Sequence, residues 1–442
     1  MKAHVELKYL RQIIIGLCLV TMLLLSIRHV VNMLTNTCAV DGAGDFHAYW
    51  YAGHFIRQGS DPYQAFFAGE TPSVPVKYLD GVVTEALPIA QPKLPRSPAY
   101  TAPMVLLLSV FSLVSWPLAK MLWLACNLIL MSTTPWLVIR LLPDGNKLGV
   151  VPKLLVFLTF FGLIGTRNTA QHGQVTFLVF ALTLGSLLTV DKNWLASGMM
   201  LGLAISKYSL ALPVFLFFLY ERKYRIIATS LAFQVFGFLT LSFLVGDSPV
   251  SLLEGCFDML LFHASKNTGS VVIHLASLFP RGGILPVLTV LAGTLIVWGL
   301  LGLWLWRFDN QRVRTSTISF GKLHVVTILT LWTLLVAYHR PYDTSVVLLF
   351  IALVVYGLGK PELWHLSWWQ KNFLAVFLVV SIFVMSLPGD VMGRILPRSM
   401  MPVWFRILYT LLTVTLVLML GVSIWLLYQV RGGLKQVTQW SV

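Results

Sequence analysis

Apolar runs of membrane-spanning length constrain this chain more than any other feature. A helix that crosses a bilayer needs about 20 mostly apolar residues, because lipid offers no partner to an unpaired backbone group. Such runs stand at 12–34, 119–140, 150–166, 174–190, 194–206, 208–220, 225–245, 284–306, 322–338, 343–359, 371–388 and 404–428. The runs 194–206 and 208–220 are short and read as two half-length or tilted helices meeting near Lys207. A further stretch, 101–116, is also short and reads either as a thirteenth span or as a helix along the outer surface. Composition agrees, with 57% hydrophobic residues, 11% charged and a mean hydropathy of +0.79. A soluble domain carries about 25% charged residues. Soluble globular, disordered and fibrous classes are thereby excluded, and the fold class is an all-α polytopic membrane protein of about twelve transmembrane helices. Four cysteines without a CxxC pair argue against a disulfide scaffold and give no hint of a zinc or redox site; whether Cys38 and Cys256 pair is left open by sequence.

Charge then assigns sides. The net charge of +15 comes from 32 Lys and Arg against 17 Asp and Glu. In a soluble protein this excess would suggest nucleic acid; in a membrane protein it is the signature of cytoplasmic loops, so no nucleic-acid partner is expected. Lys2, Lys8 and Arg11 precede the first run and place the N-terminus inside, with that run an anchor rather than a cleaved signal. With twelve spans and 101–116 on the outer surface or re-entrant, eighteen of the 32 basic residues and only six of the 17 acids are cytoplasmic. The clusters Glu221–Arg225 and Arg307–Lys322 then both lie inside. A merged 194–220 helix is the main rival, and would flip the sides between residues 119 and 194. The Pro-rich stretch 72–98 reads as irregular outer loop. No soluble domain is long enough to fold separately, so residues 1–442 form one integral membrane domain.

Polar groups at membrane depth are expensive and mark candidate sites. Asp45 and His47, then Arg167, Asn168, His172 and Gln174, then Lys207 and Tyr208, then His339, Arg340 and Asp343 all fall at run ends that open outward under this topology. Asp45 follows Gly42-Ala43-Gly44, so a helix N-cap is its plain structural reading. Asp61-Pro62 is a turn signal. His47 and His54 lie seven apart on one helix face, and with no third ligand in sequence they read as interfacial packing rather than zinc. Residues 167–174 read equally well as an ordinary short loop or as a site where Gly173 lets backbone approach a ligand. Lys207 stands between two apolar runs, where snorkelling is a poor account of it and a phosphate partner a better one.

Taken in order, these segments resemble the GT-C membrane glycosyltransferases, specifically glycosyltransferase family 87. The resemblance is carried by Asp45-Phe46-His47-Ala48-Tyr49-Trp50, Gly59-Ser60-Asp61-Pro62-Tyr63, Tyr100-Thr101-Ala102-Pro103, Trp116-Pro117, His172-Gly173-Gln174 and Gly202-Leu203-Ala204-Ile205-Ser206-Lys207 before Glu221-Arg222-Lys223. It covers roughly residues 10–225, with Tyr338-His339 beyond. Here His172 stands where the family pattern has Asn, and Tyr208 where it has Pro. The resemblance implies a GT-C fold, with a catalytic module over 1–245 that includes the outer loop 35–118, and with 246–442 completing the donor and acceptor cavity. It implies a polyprenyl-phosphate sugar as donor, a lipid or glycan of the cell envelope as acceptor, and transfer with inversion on the outer face of the plasma membrane. Mannose and arabinofuranose are the sugars it suggests. Asp45 matches the catalytic aspartate; Lys207, Arg167 and Arg340 are expected on the donor phosphate; His339 on phosphate or in proton transfer; His47, His172, Gln174 and Tyr208 on substrate. A monophosphate leaving group and the absence of a DxD motif lead to an expectation of metal independence and no cofactor. A lipid-linked-sugar flippase or transporter, an O-antigen-ligase-like polymer transferase and a non-enzymatic scaffold are the rival classes.

Overall fold

A computed structural model describes residues 2–39, 42–68, 99–266, 273–278, 284–309, 320–337, 339–360, 364, 366–387 and 400–437. The expected loop 72–98, the basic residues Arg312 and Arg314, and Tyr338 lie outside the described residues. The described residues are helical and contain no strand beyond one isolated bridge, Ile273 to His339. Seven helices are long and apolar enough to cross a membrane, or eight if a bent pair counts as one span, so this is a multi-pass membrane protein. They are α1 (Lys2–Cys38), α5 (Trp116–Leu141), α11 (Tyr224–Val245), α13 (Ile284–Asp309), α15 (Leu348–Gly359) with the 3-10 turn Pro341–Val347, α16 (Trp368–Ser386) and α17 (Met401–Val437). The bent pair is α6 (Val150–Gly162) and α7 (Ile164–His172), which meet at 52°.

Every run read from sequence is a helix, and four are short: α8 (Thr176–Thr189), α9 (Trp194–Ile205), α10 (Tyr208–Tyr220) and α14 (Phe320–Val336). These four are shorter than the seven that are long enough to span, as is the stretch Ala102–Leu113. The break at Ser206-Lys207 separates α9 from α10, so 194–220 is not one merged helix. The 101–116 stretch is α4 (Ala102–Ser109) followed by a 3-10 turn, Val110–Leu113, too short by itself to span. Two features depart from the sequence reading. Residues 167–172 continue the helix α7 instead of forming a loop, which leaves only Gly173–Val175 as connection. An unexpected helix, α12 (Pro249–Lys266), follows α11.

The chain forms two compact units. One comprises residues 1–33, 131–168 and 270–442, the other 34–130 and 169–269. In the first, α14 and α15 are buried nearly all round, which suits helices that are apolar on every face. The Ser26 hydroxyl of α1 donates to the Leu158 carbonyl of α6 at 2.9 Å, while Gly162 brings α6 against Met22. Asp144 pairs with Lys147 at 3.2 Å and with Lys360 at 3.7 Å, and in the second unit Lys223 pairs with Asp191 at 2.8 Å. Each pair joins residues that the charge count sets on one side.

In the second unit, small residues let helices approach closely, as in membrane interiors. Ser186 of α8 and Ser197 of α9 each donate to the other's carbonyl at 2.9 Å. A methyl group on Gly198 would stand 2.5 Å from Thr229, and one on Gly202 would stand 2.9 Å from Phe233, so both sites hold α9 on α11. The core of this unit joins Ala52 and Ile56 of α2 (Gly44–Arg57), Tyr63 and Phe66 of α3 (Pro62–Phe67), Val105 of α4, Leu241 of α11 and Met259 of α12. Asp61 caps α3: its Oδ1 accepts from the Tyr63 N–H at 2.8 Å, with Pro62 in the first helical position. This is the turn role expected of it. Cys38 is exposed and Cys256 buried, and both are free thiols.

Candidate functional site

The site in the second unit is built around the start of α2. Ala43 takes a left-handed conformation, φ 56°, and is the residue that caps the helix; its N–H donates to the Gln171 carbonyl at 3.1 Å. Asp45 is therefore no N-cap. It sits inside the first turn, half-buried, where the positive end of the helix dipole favours a carboxylate. Its Oδ2 accepts a short hydrogen bond from the Gln174 side-chain amide. Gln174 is itself buried, and its Oε1 accepts from the Tyr100 hydroxyl at 2.7 Å.

Gly173 explains why a glycine precedes that glutamine. Its φ is +68°, and a Cβ there would lie 2.7 Å from the Phe46 Cβ. The close approach that this glycine allows is to Phe46 and Ala43 at the start of α2. The Gly173 carbonyl accepts from the Trp123 indole at 2.9 Å, and that ring stacks on Phe46 with centroids 5.1 Å apart. Phe46 and Gln174 thus hold neighbouring residues of α2 and of the 173–175 connection in one fixed register.

Lys207 lies at the break between α9 and α10, and only 7% of it is exposed. Its ammonium donates to the Thr176 hydroxyl at 2.7 Å. It does not snorkel. Thr176 is two residues after Gln174, so one short segment braces both a carboxylate and an ammonium. Thr101, next to Tyr100, donates to the Ser206 hydroxyl at 2.8 Å, directly before Lys207.

Aromatic rings flank Asp45. His47 packs on Tyr51 at 4.2 Å and on Trp116 at 4.5 Å between centroids, and His54 meets Trp50 at 4.4 Å. Burial, with the nearby Arg57 charge, pushes the His54 imidazole below its usual range. Both histidines are thus packed among rings, and among the described residues no group of three His, Cys, Asp or Glu could hold a metal ion. His172 is exposed at the end of α7, and Tyr208 opens α10 with 47% of its surface exposed.

The remaining expected residues belong to the first unit. His339 is fully buried, and its Nδ1 lies 3.0 Å from the Asp343 Oδ2. Its Nε2 is buried with no hydrogen-bond partner among the described residues. The His339 carbonyl accepts from the Ile273 N–H at 2.9 Å, which fixes the backbone beneath the ring. Arg340, half-buried, starts the 3-10 turn that carries Asp343. Arg167 is buried in α7, and its Nε donates to the Asn168 side chain at 3.3 Å. Gly165, two residues earlier, packs that helix against the same turn: a Cβ would lie 2.4 Å from the Thr344 hydroxyl.

The sequence singles out Asp45, Gln174 and Lys207, and it assigns nothing to the Thr176 and Tyr100 hydroxyls that bond to Lys207 and Gln174. A hydroxyl two residues after Gln174 was the only available signal for Thr176. A model of glycosyltransferase family 87 matches residues 99–323, half of the chain, and the chain belongs to that family. It is a membrane glycosyltransferase. No curated protein and no solved structure matches it.

Proposed function

We propose that this family 87 glycosyltransferase moves a sugar, mannose or arabinofuranose in type, from a polyprenyl-phosphate donor to a glycolipid or glycan acceptor of the cell envelope. Transfer occurs on the outer face of the plasma membrane, within a GT-C fold of twelve spans. The observation that carries this is the paired bracing of Asp45 by Gln174 and of Lys207 by Thr176. An acceptor hydroxyl is a poor nucleophile until its proton has somewhere to go. Asp45 takes that proton as the acceptor oxygen bonds to the anomeric carbon. The bond from that carbon to phosphate breaks, the lipid phosphate leaves with the electron pair, and a single displacement inverts the configuration. Lys207 meets the charge that develops on the phosphate. A monophosphate leaving group needs one such cation rather than a metal, so the enzyme needs no cofactor. Charge and hydrogen-bonding capacity assign Arg167 and Arg340 to phosphate and His339 to phosphate or to proton transfer, and His47, His172, Gln174 and Tyr208 are assigned to substrate.

The test is sugar transfer from a polyprenyl-phosphate donor by purified protein in liposomes, with Asp45→Asn compared at matched monodispersity. Loss of about 10²–10⁴-fold is expected, the usual contribution of a general base. Parental turnover in that variant would overturn the mechanism, and a protein that only moves lipid-linked sugar across the bilayer would form no new glycosidic bond at all. Lys207→Ala should weaken donor binding roughly 10-fold or more while acceptor KM stays put, as for loss of a charge-assisted hydrogen bond. Lys207→Arg should keep part of the function. Unchanged donor affinity in a titration of Lys207→Ala removes Lys207 from the site.

A further inference from the structure

The Tyr100 hydroxyl reaches the same side-chain amide that meets Asp45. The ring is 7% exposed and lies flat on Tyr49, with centroids 5.0 Å apart and planes 4° from parallel. The hydroxyl reaches the Gln174 Oε1 at 2.7 Å, and the other end of that amide donates to Asp45. The Tyr100 carbonyl in turn accepts from the fully buried Tyr63 hydroxyl at 2.8 Å. Tyr100 is therefore fixed by its ring, its backbone and its hydroxyl together.

A glutamine amide has two ends of similar size and opposite hydrogen-bonding sense. Nothing in its shape decides which end meets a neighbour. Turned one way, Gln174 gives Asp45 a donor and stabilises an ionised carboxylate. Turned the other way, it sets a carbonyl oxygen against that carboxylate, which repels the ionised form. An ionised carboxylate only accepts and so favours the first orientation, and a hydroxyl that donates to Oε1 holds the amide in it. We propose that Tyr100 is a positioning residue of the transfer reaction, whose hydroxyl fixes the amide of Gln174 so that its N–H faces Asp45 and keeps that carboxylate ionised and aimed. The role rests on Asp45 being the base. It also gives the Tyr100-Thr101 pair a common purpose, because the adjacent Thr101 hydroxyl holds Ser206 next to Lys207.

The experiment is a double-mutant cycle on the purified enzyme, with a polyprenyl-phosphate sugar as donor. Tyr100→Phe retains the ring and its stack on Tyr49 and removes only the hydroxyl. Gln174→Leu removes the amide. Gln174→Leu should lower kcat by roughly 10- to 100-fold, the range for one hydrogen bond to a charged group, and Tyr100→Phe by about 3- to 10-fold, the range for a neutral one, with donor KM held within about twofold in both. Because Tyr100 acts through Gln174, adding Tyr100→Phe to Gln174→Leu should cost no further activity. Tyr63→Phe is the control: it loosens the same segment at the Tyr100 carbonyl, and it should lower the unfolding temperature while kcat is retained. Multiplicative losses in the double variant, or an equal loss of kcat in Tyr63→Phe, would mean that the segment matters only as packing and would overturn the role of Tyr100. Asp45→Asn, run in parallel, separates the two levels. Parental turnover there rejects Asp45 as base, whereas a dead Asp45→Asn beside an additive cycle rejects Tyr100 alone.

Discussion

Two carboxylates, one in each unit, are held in opposite ways. Asp45 is half-buried and wired outward through Gln174 and Tyr100, every named group meeting a partner. Asp343 is buried with His339, whose second ring nitrogen has no hydrogen-bond partner among the described residues. A network whose members are all satisfied aims a side chain, while an unsatisfied buried atom stores a cost that only a ligand or a proton would relieve. On the proposed mechanism the first carboxylate takes the acceptor's proton, while the second only holds an imidazole.

The largest expected effect is on turnover at the first of these. Asp45→Asn keeps the shape and the first-turn position and should still lose about 10²–10⁴-fold in kcat, with its unfolding temperature near parental. A matching loss of stability would put Asp45 in the same structural class as Asp343 and erase the contrast. Next comes Asp343→Leu, which strands the His339 Nδ1 in a buried place. It should destabilise the protein by about 1–3 kcal/mol, read as thermal unfolding in detergent, and by more than Gln174→Leu does beside the half-buried Asp45. Equal costs for the two would show that burial does not distinguish them. Gly173→Ala should cost about 1–2 kcal/mol, since alanine at positive φ is strained and its methyl collides with Phe46. An unfolding curve matching the parental one would mean that the 173–175 connection shifts freely.

The smallest effect is expected at Asp61, a third carboxylate that sharpens the comparison. Burial pushes its carboxyl up, against the Tyr63 N–H that pulls it down, and its Oδ2 has no hydrogen-bond partner among the described residues. A raised carboxyl favours the folded state when protonated and weighs against it once ionised. Asp61→Asn still caps α3, so at pH 7 it should unfold at or slightly above the parental temperature, with activity within about twofold. The advantage should shrink as pH falls toward about 4. A lower unfolding temperature at pH 7 would show that the charge on Asp61 is useful to the fold.

Much of this was legible in the sequence because lipid makes the code severe: an apolar run in a bilayer has little choice but to be a helix. The twelve runs and the break at Lys207 follow from that rule. It is silent on helices that do not span, so α12, with Glu254 and Asp258 along its length, went unseen. It also misled at 167–172, where Arg167, Asn168 and His172 suggested a loop although the helix merely bends at Leu163 and continues. At the site, residue types pointed to Asp45, Gln174 and Lys207. The partners were not legible, because Tyr100 and Gln174 meet across 74 positions of chain and Lys207 and Thr176 across 31. Nor did Gly42-Ala43-Gly44 reveal which residue would cap α2, since Ala43 is an unusual choice for a left-handed position.

The shortness of α9 bears on how the protein is made. Its 12 residues rise only about 18 Å, against a hydrocarbon core of about 30 Å. Lipid alone therefore holds it poorly, and its grip comes from neighbours: the serine clasp with α8, and Gly198 and Gly202 against α11. Of these, α8 leaves the ribosome before α9, and α11 only after α10 has been made. Through that interval α9 lacks its hold on α11, while the Thr176 hydroxyl that receives the Lys207 ammonium has already been made with α8.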